Sequence, residues 1–253
     1  MARFVLVHGA FCGAWIWGPL IERLQKAGHS LQAFDLPGSG DDRTPVSAVT
    51  LDACAARLRA MLASRAEPAL VVGHSMGGVV VTQGAARCPQ GIAALVYVAA
   101  FMPNDGQSLL DLTRLPEGAG DQVQANVVTE GDPPVAVMPA EASPRALYEC
   151  CDDDVAAWAI KRQRPQPVAT FATPVSIPPG ALDGIKRYYV LCARDRAIAP
   201  ALQRRMIAEN PCADVVELNT DHTPQLSMTE ELARALQRFA VDSSAAAGKL
   251  AAS

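Results

Sequence analysis

The sequence predicts an α/β fold, a doubly wound and mostly parallel sheet carrying one inserted cap. Three observations predict it. Short β-branched runs alternate with stretches of helical spacing along most of the 253 residues. One run, "IAALVYVAA" (92–100), is apolar at nearly every position, as a central parallel strand covered on both faces requires. The alternation breaks only once, across residues 101–180, which are rich in Pro, Gly and Asp; an alternation that resumes after a single break implies one doubly wound domain with an insertion.

Taken in order, "RFVLVH" (3–8) is a buried strand, and "WGPLIERLQKAG" (17–28) has helical spacing with Gly28 as its stop. "HSLQAFDLPGSG" (29–40) is a strand leaving into a glycine-rich turn. "TLDACAARLRAMLAS" (50–64) is an amphipathic helix, with Leu51, Cys54, Leu58, Met61 and Leu62 on one face and Thr50 placed to cap it. "PALVVG" (68–73) is a strand, "GGVVVTQGAARC" (77–88) a helix that Pro89 stops. The insertion holds two short helical pieces, "SPRALYECC" and "DDVAAWAIKRQR". Beyond it come strand "KRYYVLC" (186–192), helix "PALQRRMIAEN" (200–210), strand "DVVELN" (214–219) and helix "TEELARALQRFAVD" (229–242). The core is therefore expected from residues 1–100 and 186–242, the cap from 101–185. The last residues, 243–253, have the composition of a disordered or tag-like tail.

Composition narrows the function. A net charge of −4 gives no electrostatic reason for a nucleic-acid or anionic-membrane partner, and at 5% the aromatics supply no stacking platform for bases. No apolar stretch approaches the ~20 residues that span a bilayer. "MARFVLVHGAF" ends its apolar run in His-Gly with no small-residue cleavage site, and reads as a first strand, not a signal peptide. The seven cysteines form no CxxC pair and no Cys/His ligand cluster. An odd count of this kind indicates reduced thiols, so a cytoplasmic location and no metal are expected.

"GHSMG" (73–77) matches G-x-S-x-G, and it stands where that motif has mechanical meaning, after a strand and at the opening of a helix. The serine of such an elbow occupies a strained turn above the sheet edge, and the following helix start presents N–H groups to a developing oxyanion. Ser75 as nucleophile needs a base. Of the four histidines, His8 ends the first strand, His29 begins a strand, and His74 lies inside the elbow. His222 lies in the loop after the last predicted strand, where open α/β sheets place functional groups. The orienting carboxylate must come between 75 and 222, at the carboxyl end of a strand. Asp195 satisfies this; Asp183 and Asp214 sit at the wrong strand ends, and Asp221 adjoins His222 too closely to face it. The oxyanion hole then falls to the backbone N–H groups of Met76, after the nucleophile, and Ala10, in the loop after the first strand.

Together "FVLVHGAFCGAWIW", "FDLPGSGDD", "VVGHSMGG", "YVAAFMP", "RDRAIAP" and "DHTPQLS" resemble the α/β-hydrolase superfamily. More narrowly they resemble the branch of plant hydroxynitrile lyases, plant methylesterases and bacterial carboxylesterases. The resemblance implies the same Ser75, Asp195 and His222 triad, oxyanion donors Ala10 and Met76, no metal or organic cofactor, and a small-molecule ester as substrate; monomer or homodimer stays open. Lyases of this branch carry lysine where this chain has Thr223 and threonine where it has Gly9, so both positions point to ester hydrolysis over cyanohydrin cleavage. Cys12 departs from the plant pattern, which has histidine there. Phe11, Cys12, Phe101, Tyr148, Trp158 and Leu226 are the candidate pocket residues, and they imply an apolar site for hydrophobic, aryl or alkyl esters. A non-catalytic ligand-binding protein is the third class, and a complete triad speaks against it.

Overall fold

A computed structural model describes the backbone of residues 1–250 and the side chains of 1–244. Along the chain run β1 (Arg3–Val7), α1 (Gly18–Lys26), β2 (Ser30–Ala33), α2 (Leu51–Ala63), β3 (Ala69–His74), α3 (Gly77–Arg87) and β4 (Ile92–Val98). The inserted segment contributes α4 (Leu109–Thr113), α5 (Gln122–Asn126), β5 (Val128–Glu130), β6 (Val135–Val137), α6 (Ser143–Leu147), α7 (Asp153–Ile160), β7 (Gln166–Pro167) and α8 (Ala169–Ala172). The alternation then resumes with β8 (Lys186–Cys192), α9 (Pro200–Glu209), β9 (Asp214–Leu218), α10 (Pro224–Ser227) and α11 (Thr229–Leu250).

The main sheet has the order β2-β1-β3-β4-β8-β9, and every neighbouring pair is parallel. Alternate residues of each strand face opposite sides. Phe4 and Leu6 of β1, with Tyr188 and Val190 of β8, meet Trp17, Leu20 and Phe239 on one side. Val5, Val7, Tyr189 and Leu191 meet Leu58 and Val80 of α2 and α3 on the other. Burial on both sides is why these strands read as unbroken apolar runs. Each such side chain contributes about 1.5–3 kcal/mol. Thr50 caps α2 as its position predicts, its hydroxyl accepting from Ala53 N at 3.0 Å.

Two features differ from the sequence expectation. The insertion holds a small antiparallel sheet, β5-β6-β7, whose strands of two or three residues are too short to show a periodicity. The tail begins later than residue 243. Helix α11 continues to Leu250, and Ser243 is buried, its hydroxyl donating to Ala93 O at 3.4 Å. An alanine-rich stretch has linker-like composition but also the highest helix propensity, so it prolongs a helix already docked. Residues 251–253 lie outside the described residues. No helix among those described is long and apolar enough to cross a membrane.

Helix α3 is buried from Gly77 to Ala86, wedged between the sheet, α2 and the start of the insertion. It tolerates this only because its contacts are small. A Cβ at Gly84 would stand 2.7 Å from Leu58 Cδ2, and one at Gly78 would collide with the Phe101 carbonyl. Gly78→Ala should therefore destabilise the protein by about 1–3 kcal/mol through overpacking. Gly18→Ala, at an αR position with open space around it, should be neutral or stabilising by up to about 1 kcal/mol. Thermal denaturation of the two variants checks the contrast, and equal melting temperatures would refute it.

Candidate active site

Four chain segments leave the carboxyl edge of the sheet and converge. The turn after β3 carries Ser75 at φ 55, a left-handed conformation that costs a non-glycine residue strain. Backbone contacts hold it there. Ser75 N donates to Val98 O, while its carbonyl accepts from Gly78 N and Phe101 N. The turn is closed by glycines: a Cβ at Gly73 would lie 2.7 Å from Gly77 O, and one at Gly77 would lie 2.7 Å from Val7 O.

Asp195 lies in the turn after β8, and its buried carboxylate receives four donors. Ala197 N (2.8 Å) and Ile198 N (2.9 Å) bind Oδ1; Gln203 Nε2 (3.0 Å) and His222 Nδ1 (2.9 Å) bind Oδ2. With its Nδ1 proton donated to Asp195, the His222 imidazole presents Nε2 as an acceptor. Burial pulls the imidazole pKa down, but the Asp195 carboxylate, followed by Asp221 and Asp121, more than offsets it, and the net shift is upward. Ser75 and His222 line the same cavity; no hydrogen bond joins them among the described residues. Such contacts commonly tighten only with substrate bound.

The other candidates of the sequence separate cleanly. Asp221 is turned away from the His222 ring and accepts from Cys150 N, Thr223 N and Ser227 Oγ. His74 donates from Nε2 to the His222 carbonyl at 2.8 Å, with the two rings 4.8 Å apart. Burial, then the neighbouring His222 charge, holds its pKa well below the usual imidazole range. It braces the histidine loop as a neutral ring. His8 and His29 serve the fold, accepting from Leu36 N and Ala2 N. The N–H groups of Ala10 and Met76 have no protein acceptor among the described residues, and both residues line the cavity. Phe11, at φ 64, turns the loop after β1 so that Ala10 sits at the cavity wall.

The cavity measures about 140 Å³. Phe11, Cys12, Phe101 and Tyr148 line it, as the sequence suggests. Burial raises the Cys12 thiol to about 12, so it offers surface and not a thiolate. Trp158 and Leu226 do not reach the cavity. Helix α7 turns Ala156 and Ala159 inward, leaving Trp158 edge-on against Trp15 at 5.1 Å with the Arg162 guanidinium over its ring at 4.4 Å. Thr223 takes the wall position, and the turn into α10 carries Leu226 to the far side. The Thr223 hydroxyl donates to Leu147 O at 2.8 Å. Sequence reasoning missed Leu109, Val168 and Phe171 of the wall, and above all Asp121, the one carboxyl group among the described lining residues. Its signal was an Asp standing directly before "QVQAN", a capping position inside an otherwise patternless stretch.

The family model described as the alpha/beta hydrolase family matches residues 4–235. The chain belongs to the alpha/beta hydrolase family. It is similar to methylesterase 7 of Arabidopsis thaliana, 32% identical over 250 residues that cover 94% of this chain and 96% of that protein. It is also similar to an alpha-hydroxynitrile lyase of the same plant, 31% identical over 95% and 97% of the two chains. Among solved structures, a pyrethroid hydrolase from Sphingobium faniae superposes with a TM-score of 0.85 over 94% and 97% of the two chains at 24% identity, a likeness of fold. An Arabidopsis methylesterase superposes with 0.80 over 94% and 98% at 26% identity.

The opposed influences on His222 give a direct test. Asp195→Asn removes the largest upward influence and leaves burial, so the imidazole should titrate at lower pH than in the wild type. Asp221→Asn should produce a smaller change in the same direction. Nuclear magnetic resonance of the His222 ring protons across pH reads both, and equal shifts for the two variants would contradict the geometry.

Proposed function

We propose that this member of the family is a serine carboxylesterase that hydrolyses hydrophobic aryl or alkyl carboxylic esters through an acyl-enzyme. The observation that carries the proposal is the convergence, on one apolar cavity, of a serine held at φ 55 and a histidine whose Nδ1 is fixed by Asp195 at 2.9 Å. The relatives named as methylesterases support the same class. Ser75 Oγ attacks the ester carbonyl as His222 Nε2 accepts its proton. Asp195 holds the imidazole and balances its charge, and the Ala10 and Met76 amides receive the oxyanion. His222 returns the proton to the departing alcohol. Water deprotonated by the same nitrogen then attacks the acyl-serine and frees the acid and Ser75. Residues 101–185 act as the cap that closes the site and selects the ester. All seven thiols are free, in keeping with a reducing, cytoplasmic compartment.

Cyanohydrin cleavage has a specific relative behind it, but the wall of the site favours hydrolysis. Among the described lining residues there is no Lys or Arg to hold a cyanide anion, and Thr223 spends its hydroxyl on Leu147. A threonine at position 9 meets a packing obstacle, because a Cβ there would stand 2.7 Å from Ser75 Cβ and 3.0 Å from His74 Nδ1. Gly9 thus keeps the nucleophile's flank clear.

Ser75→Ala should lower turnover of p-nitrophenyl butyrate by at least about 10⁴-fold with the melting temperature little changed. The wild type should release no cyanide from mandelonitrile. Residual esterase activity of a few per cent in the variant would demand another nucleophile, and robust cyanide release would replace hydrolysis by the lyase reaction.

A further inference from the structure

The cavity is mostly apolar away from Ser75 and His222, and among the polar residues the insertion adds to its lining, Asp121, Gln124 and Thr129, one is a carboxyl group. Asp121 is half-buried and stands before α5. Its Oδ1 accepts from Val123 N at 2.7 Å and Gln124 N at 2.9 Å, which fixes the group's direction. Its Oδ2 has no protein donor among the described residues, and the residue lines the cavity together with Ser75 and His222. The next residue fastens the turn to the acid loop: Gln122 N donates to Arg196 O at 2.7 Å, one residue beyond Asp195.

We infer that Asp121 determines specificity: its free oxygen accepts a hydrogen bond from a hydroxyl or ammonium group on the ester, and its charge turns away esters carrying a second carboxylate. The inference rests on the esterase proposed above. A half-buried carboxylate with one oxygen lacking a protein donor favours a ligand that supplies a donor over an apolar isostere, and disfavours an anion most. The neighbours leave that role to the substrate. His222 and Asp195 are the charged groups that act on Asp121, with opposite effects. The Arg196 guanidinium is turned to Glu149 at 2.6 Å, and Arg145 of the adjoining α6 is exposed. Tyr148 and Cys12 on the same wall are kept neutral by burial. Burial raises the Asp121 carboxyl to about 6, so it ionises just below neutral pH.

The test is competition between methyl esters of ω-hydroxy acids and the matching half-esters of dicarboxylic acids, over a series of chain lengths, with wild type and Asp121→Asn. Asparagine keeps an oxygen for Val123 N and Gln124 N and removes only the charge. At the best chain length, Asp121→Asn should shift the ratio of kcat/KM values about tenfold or more toward the half-ester, the low end for a hydrogen bond to a charged group. The wild-type ratio should fall toward the variant's as pH drops through about 6, while the variant's ratio stays flat until the half-ester's own carboxyl protonates below about 5. His222 serves both substrates, so its titration in the free enzyme cancels from the ratio of kcat/KM values. Calorimetric Kd values for the matching methyl ketones, which cannot be hydrolysed, give the same comparison without turnover. If no ester is hydrolysed but the Kd ratio shifts as described, the esterase reading fails and the role of Asp121 stands. Ratios equal in wild type and variant overturn the role of Asp121. Should the variant not fold, a wild-type ratio flat across pH 6 overturns it alone.

Discussion

Strand direction is the constraint on which the site depends. All six strands of the main sheet run the same way, so their carboxyl ends share one edge. The turns after β1, β3, β8 and β9 leave that edge within reach of one another, and they carry Ala10, Ser75, Asp195 and His222. Residues far apart in sequence become neighbours because hydrogen-bonded strands hold their registers, as Val7 with Gly73 and Val98 with Val190 do. An antiparallel partner at β3 or β8 would have sent Ser75 or Asp195 to the opposite edge.

A shared edge alone leaves four loose loops, and the insertion fastens those after β1, β8 and β9. Arg164 N donates to Phe11 O beside the oxyanion loop, and Gln122 N donates to Arg196 O beside the acid. Asp221 accepts from Cys150 N, and Thr223 Oγ1 donates to Leu147 O, on either side of His222. Each link ties a turn of the core to the insertion through a backbone group, so the insertion sets the height and tilt of the groups beneath it. The strained backbone at Phe11 and Ser75 persists for the same reason: the surroundings fix it from several sides at once.

How much of this was legible follows from periodicity. The core strands and helices were plain because burial on both faces writes long apolar runs and because Thr50, Gly28 and Pro89 mark boundaries chemically. The convergence of Ser75, Asp195 and His222 was legible because each follows the carboxyl end of a strand, whereas Asp183 and Asp214 lie at the other strand ends. The insertion was legible only at α6 and α7, since its other helices of four or five residues and its strands of two or three carry no repeat. Trp158 and Leu226 show the limit: an aromatic or aliphatic residue near a site in sequence says nothing of which way its short helix turns it. Asp121 was missed for the same reason, its meaning lying in a loop docked from elsewhere.

The electrostatics join these levels. His222 is buried, which disfavours its protonated form, and yet the proposed hydrolysis requires that form to appear while Ser75 attacks. Asp195 supplies most of the compensation through direct contact. Asp221 adds to it from behind, while its own oxygens are held by the turn that positions the histidine. Asp121 adds a third contribution from the insertion side, and only when it is ionised. The imidazole is therefore tuned partly by a group of the cavity wall. A ligand that donates a proton to Asp121 Oδ2 weakens its hold on the imidazolium, and one that leaves the carboxylate bare strengthens it. On the proposed reading, substrate choice and basicity at His222 are coupled through one carboxyl group, and a substitution of Asp121 changes both together.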